Sequence, residues 1–162
     1  MEATISSSKA VINEMIGLQG RLFSNVVVDV SDTHGDARIT GSTNHMKWLA
    51  GHLVSTRYML CNLLGSAAQE PFASLFEKGK GLDESAAYPS MAELTKDWDA
   101  ISSQLNEAFS ALPEEVFTGA APIQVPVQDQ TMRGMITFFM HHEAYHLGQL
   151  GILRKVNGYE AM

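Results

Sequence analysis

The chain has 162 residues, 45% of them hydrophobic, which suffices for one domain (1–162) that buries its core without disulfide or metal staples. Its 11 basic and 18 acidic side chains give a formal charge of -7 with no Lys/Arg cluster, so a nucleic-acid backbone would be repelled. The single cysteine, Cys61, excludes an internal disulfide, no stretch reaches the roughly 18 apolar residues of a membrane span, and MEATISSSKAVINE lacks the features of a secretion signal, so a soluble cytoplasmic protein is expected.

Four segments have helical periodicity and none alternates as a strand does, which predicts an all-α fold. The first helix is expected over about residues 7–25, with Val11, Ile12, Met15, Leu18 and Leu22 as its apolar stripe. VVVDV then reads as a fraying last turn or a short extended piece, followed by the polar loop SDTHGDARITGS. A second helix is expected over about residues 43–64, capped by Ser42 or Thr43 and stopped at Gly65. Its stripe is Trp48, Leu49, His52, Leu53, Tyr58, Met59, Leu60 and Leu63.

PFASLFEKGKG suggests a short helix within a connection of about 25 residues, long enough for a crossover. Ser90 and Glu93 have capping-box spacing and open a third helix over about residues 91–112, closed by Pro113. The fourth, about residues 131–156, ends at Asn157-Gly158, a left-handed stop. The nine methionines read as core filler.

The fourth helix carries His142-Glu143-Ala144-Tyr145-His146, the H-E-x-x-H spelling of zinc proteases. Helical residues four apart are offset by about 40° and one turn, so His142 and His146 can share an ion. A protease would draw its third ligand from downstream, yet no histidine follows His146, and the sheet edge that usually receives a peptide is missing. Upstream, His52 interrupts the apolar face of the second helix, where an unsatisfied polar group would cost about 1–3 kcal/mol. A lone histidine there would be bonded to a carbonyl or hydroxyl; the pair on another inward-facing helix favours ligation instead.

GSTNHMKWLAGHLVSTRYML and HHEAYHLGQLGILRKVNG together resemble the DinB/YfiT-like superfamily of bundle metalloproteins. Asn44, Trp48 and His52 fit its N-x-x-x-W-x-x-x-H pattern; His142, His146, Gly148 and Gln149 fit its H-x-x-x-H-x-G-Q pattern. The resemblance implies a four-helix bundle of up-down-down-up order with a long crossover, a divalent metal on His52, His142 and His146, water at open positions, and commonly a homodimer. Zinc or nickel is the first expectation for the ion, then iron, since imidazole suits all three. Similar proteins of known activity are transferases or isomerases that use a small thiol such as mycothiol or bacillithiol; others are described as metal-dependent hydrolases.

His45, two turns before His52, is too far to ligate the same ion and is expected near the bundle mouth or in solvent. His141 is turned about 100° from His142 and suits a surface or interface, His34 sits in a solvated loop, and Cys61 falls on the face opposite His52. Glu143 is a general base in the protease reading; in a bundle it is a solvated carboxylate or one bonded behind a ligand. Gln149 could orient a ligand or bond a neighbouring helix, and Gly148 and Gly151 suit close approach by a helix or substrate. Three functions remain open: a metal-dependent transferase or hydrolase acting on a small molecule, a metal-binding protein without turnover, and a helical dimerisation module with structural histidines.

Overall fold

Among the residues it describes, 7–77 and 79–161, this computed structural model contains seven helices and no strand. In chain order they are α1 (Ser7–Val27), α2 (Asp32–Gly35), α3 (Met46–Leu63), α4 (Ala73–Phe76), α5 (Met91–Ala111), α6 (Glu114–Phe117) and α7 (Met132–Val156). α1, α3, α5 and α7 form the bundle, and the other three are single turns within its connections.

Local hydrogen bonds set most of these boundaries. The Ser90 hydroxyl accepts from the Glu93 N–H while the Glu93 carboxylate accepts from the Ser90 N–H, so the capping box is closed at both ends. Thr131 caps α7 by accepting from the Gly134 N–H, and Gly65 and Gly158 take φ of 98° and 84° at the expected stops. α3 departs from expectation by starting at Met46, because its cap is His45, whose Nδ1 accepts from the Trp48 N–H at 3.0 Å. Thr43 is committed elsewhere: its hydroxyl bonds the N–H and carbonyl of Thr40. The valine run after Asn25 continues α1 to Val27 and then turns at Asp29, which has φ 58°.

Chain directions follow from contacts between helix ends. Lys9, at the start of α1, donates to the Leu112 carbonyl at the end of α5, so these two run antiparallel. Arg154, near the end of α7, reaches the Val28 carbonyl just past α1 at 2.8 Å, which makes α1 and α7 parallel. The Asp32 carboxylate accepts from the Met91 N–H and pairs with Lys47, in the first turns of α5 and α3, and Arg57 meets Ser102 further along the same pair, so α3 and α5 are parallel too. The order is up-down-down-up, and residues 64–90 are the crossover that a parallel pair requires.

Burial corrects one expected stripe. On α1 the inward face is Ile12, Ile16, Gln19, Phe23 and Val26, whereas Val11 and Leu18 are 60% and 47% exposed. The displacement has a polar cause: Gln19 is buried because its Nε2 donates to the Met140 carbonyl of α7 at 2.7 Å. α3 packs against α5, α7 and α4, so it is buried on most sides; Cys61 is inside as well, away from the histidines.

The connection 118–131 is closed by a pairing of Ala120 with Thr131 and by the Met132 N–H donating to the Gly119 carbonyl at 2.8 Å. Gly134 sits under it, and a Cβ there would lie 1.9 Å from the Asp129 carbonyl oxygen. Gly134→Ala should therefore lose about 1–3 kcal/mol or more, reversing the gain of about 1 kcal/mol usual for this change inside a helix. In a domain of this size each kcal/mol moves the melting temperature by about 2–4 °C, so calorimetry should read a clear fall; an unchanged or raised value would contradict this packing.

Candidate metal centre

His142 and His146 lie one turn apart on α7, and α3, running the other way beside it, brings His52 to the same point. The Nε2 of His142 stands 3.1 Å from that of His52 and 3.2 Å from that of His146. Each ring has a cause for its orientation. Trp48, one turn before His52, stacks on its imidazole with centroids 5.0 Å apart and planes 6° from parallel. The His146 Nδ1–H donates to Gln149 Oε1 at 2.6 Å, which leaves the lone pair on Nε2 pointing into the cluster.

Protons satisfy this arrangement poorly. His146 Nε2 is an acceptor, and one N–H on His142 cannot serve two neighbours well. If that proton sits on Nε2, the buried Nδ1 of His142 keeps an orphaned lone pair; if on Nδ1, an orphaned donor, since it has no hydrogen-bond partner among the described residues. A divalent ion answers the Nε2 side: two nitrogens each about 2.0–2.1 Å from one ion at a tetrahedral angle stand about 3.3 Å apart, close to the spacings observed. The three histidines could therefore hold a metal ion, their donor atoms all lying within 4.8 Å of one another.

Burial, reinforced by His146 and then His142, lowers the His52 pKa to about 4. Burial first, then His146 and His141, lowers that of His142 to about 4, and burial lowers His146 against the opposing bond to Gln149. All three imidazoles are thus neutral at pH 7, the state in which nitrogen can ligate.

Other expected positions resolve differently. His45 is not in solvent: it is 7% exposed, caps α3 at the end of the bundle and sets an edge against Tyr88 at 5.0 Å. Its cap holds the turn bearing Trp48, and burial lowers its pKa. His34 is half-buried rather than solvated, its Nδ1 2.8 Å from the Tyr159 hydroxyl. His141 is exposed, as expected. Gly148 is exposed with open space around a would-be Cβ, so it is no close-packing device, and Gly151 is half-buried. Asn44 lines a surface cleft together with Gln149.

Glu143 is corrected most. It is not solvated: its carboxylate is fully buried and paired with Arg57, Oε1 to Nε at 2.8 Å and Oε2 to Nη2 at 3.0 Å. The guanidinium also donates to the Ser102 hydroxyl at 2.6 Å and lies 3.8 Å over the Trp98 ring, which itself stacks on Phe23. Arg57 was missed by the sequence reading. The available signal was a cation inside the apolar run LVSTRYML matched by an anion inside FFMHHEAYHL, two opposite charges on inward-facing helices.

The chain matches the family model described as the DinB superfamily over residues 17–150. A crystal structure of a conserved protein from Enterococcus faecalis is similar with TM-score 0.67 and 11% identity, covering 93% of this chain and 97% of that one. At that identity the likeness speaks for the fold. None of the curated proteins matches.

Proposed function

The chain belongs to the DinB superfamily, and from that premise we propose that it is a metal-dependent enzyme acting on a small molecule, with a thiol transfer favoured over hydrolysis. One observation carries the reading: the three Nε2 atoms of His52, His142 and His146 converge, and two of these rings line a cavity. These residues would hold a divalent ion, zinc or nickel first and then iron. When bound, such an ion supplies Lewis acidity that turns a water or a thiol into a nucleophile near neutral pH.

The protein's own share is positional. Trp48 and Gln149 hold two ligand rings, and Arg57 draws Glu143 into a buried ion pair, so the carboxylate of the H-E-x-x-H stretch is given no catalytic part in this reading. Among the described residues, no Asp or Glu lines the cavity beside His52 and His142. Hydrolysis would call for a base at that point, whereas a thiol gives up its proton more readily, which is why transfer is preferred.

Protein purified without a histidine tag should contain about one equivalent of divalent metal, and the loaded form should conjugate a small thiol to an electrophile. Metal-dependent peptide cleavage abolished by Glu143→Gln would overturn the reading. Gln149→Leu should weaken metal binding about 10–100-fold by releasing the His146 tautomer, as titration calorimetry can measure; unchanged affinity would mean that Gln149 has no part in orienting the ligand.

A further inference from the structure

His52 and His142 form one wall of a cavity of about 350 Å³ whose remaining surface is largely apolar. Phe76 of α4, Phe138 and Phe139 of α7, Met59 of α3, and Val125 and Pro126 of the 118–131 connection make most of it. The polar groups are Ser55, Thr56 and Gln124, and the Thr56 hydroxyl already donates to the His52 carbonyl at 2.8 Å. Among the described residues, no Lys, Arg, Asp or Glu lines the space.

The wall opposite the helices is built by hydrogen bonds rather than left to a loose loop. The Ala121 N–H donates to the Gln130 carbonyl at 2.9 Å, and Gln130 Nε2 in turn donates to the Val125 carbonyl at 2.9 Å. Val125, Phe76 and Phe139 are each less than 10% exposed, so the lining is held in place by packing behind it. With no ion bound, a charged group entering such a space would lose its hydration and meet no opposite charge among the described lining residues, while an apolar body would leave water at no such cost.

We propose that this cavity binds an uncharged, predominantly apolar molecule, aryl or branched alkyl in body, with its one polar head turned toward His52, His142 and His146. The proposal deepens the function given above and rests on that reading only for the role of the head. It names the class of the substrate that accompanies the nucleophile: a molecule recognised by shape and apolar surface, with no carboxylate, phosphate or ammonium on the part that enters.

Ligand-observed NMR with benzyl alcohol, benzoate and benzylammonium tests the cavity in chelator-treated protein, independently of any metal. Benzyl alcohol is expected to bind at least ten-fold more tightly than either ion. Met59→Arg, a change to a good helix former at a residue 37% exposed on the cavity wall, should raise benzoate affinity at least ten-fold and weaken the alcohol. Equal binding of a charged probe by the wild type, no detectable binding of the alcohol, or an unchanged order of affinities in a folded Met59→Arg protein would each overturn the proposal. Zinc loading with phenylmethanethiol separates the two readings. Tightening by zinc supports the metal site, whereas no response to zinc together with a preserved preference for benzyl alcohol would sink the metal reading and leave the cavity's specificity standing.

Discussion

Glu143→Ala is expected to lower the unfolding free energy by about 3–5 kcal/mol, the usual cost of breaking a buried ion pair on one side. The residue it strands is Arg57, whose side chain is fully buried and which would keep only the Ser102 hydroxyl and the Ile16 carbonyl, neither of them charged. With about 2–4 °C per kcal/mol in a domain of this size, the melting temperature should drop by about 10 °C. Glu143→Gln should be milder, since its amide oxygen still accepts from the guanidinium, with a loss of about 1.5–3 kcal/mol. Replacing both partners with apolar residues, as in Arg57→Met with Glu143→Leu, should recover most of the stability, because no charge is then left without a partner. Urea denaturation reads all three. A Glu143→Ala protein within about 1 kcal/mol of wild type would show that the pair is not the structural centre inferred from its burial.

Metal content should depend on all of His52, His142 and His146. Each Ala substitution removes one of three donors and should weaken binding by more than the roughly 100-fold that loss of a merely supporting residue costs. His34→Ala and His141→Ala, remote from the cluster or turned outward, should leave it unchanged. Equal metal in wild type and His52→Ala would place the ion elsewhere. Acid acts on the same groups with a definite sign. Burial, with repulsion from neighbouring imidazoles, puts the folded values of His52 and His142 at about 4, below the usual 6.5, so the unfolded chain binds protons first. Their contribution to stability is complete above pH 6.5 and is lost as the pH falls through about 4. The metal-free protein should lose stability across that window, and His52→Ala should flatten the acid limb.

Features whose hydrogen bonds close within one turn were legible from the residues alone. The Ser90–Glu93 box, the glycine stops at Gly65 and Gly158, and the shared face of His142 and His146 all follow from spacing along one helix. His52 was legible too, because a polar group in an apolar stripe needs a partner. What failed was the identity of partners far away in the chain. Gln19 lies outside the stripe expected for α1, yet a carbonyl in α7 makes it an inward residue, and the stripe shifts with it. His45 was expected near the bundle mouth or in solvent, because nothing local announces that an imidazole will cap α3.

By itself, then, the sequence determined an all-α chain, four long helices with their caps and stops, and three histidines capable of meeting. Tertiary structure alone decided which groups those histidines work beside. It paired Glu143 with Arg57 across 86 residues, burying the carboxylate that the H-E-x-x-H spelling offers as a base, and it folded residues 118–131 over the rings to make an apolar wall. The physical reason is desolvation. A helix is specified by bonds between neighbours in sequence, but the state of a buried charge or an imidazole depends on what replaces its water, and only the packing of distant segments supplies that.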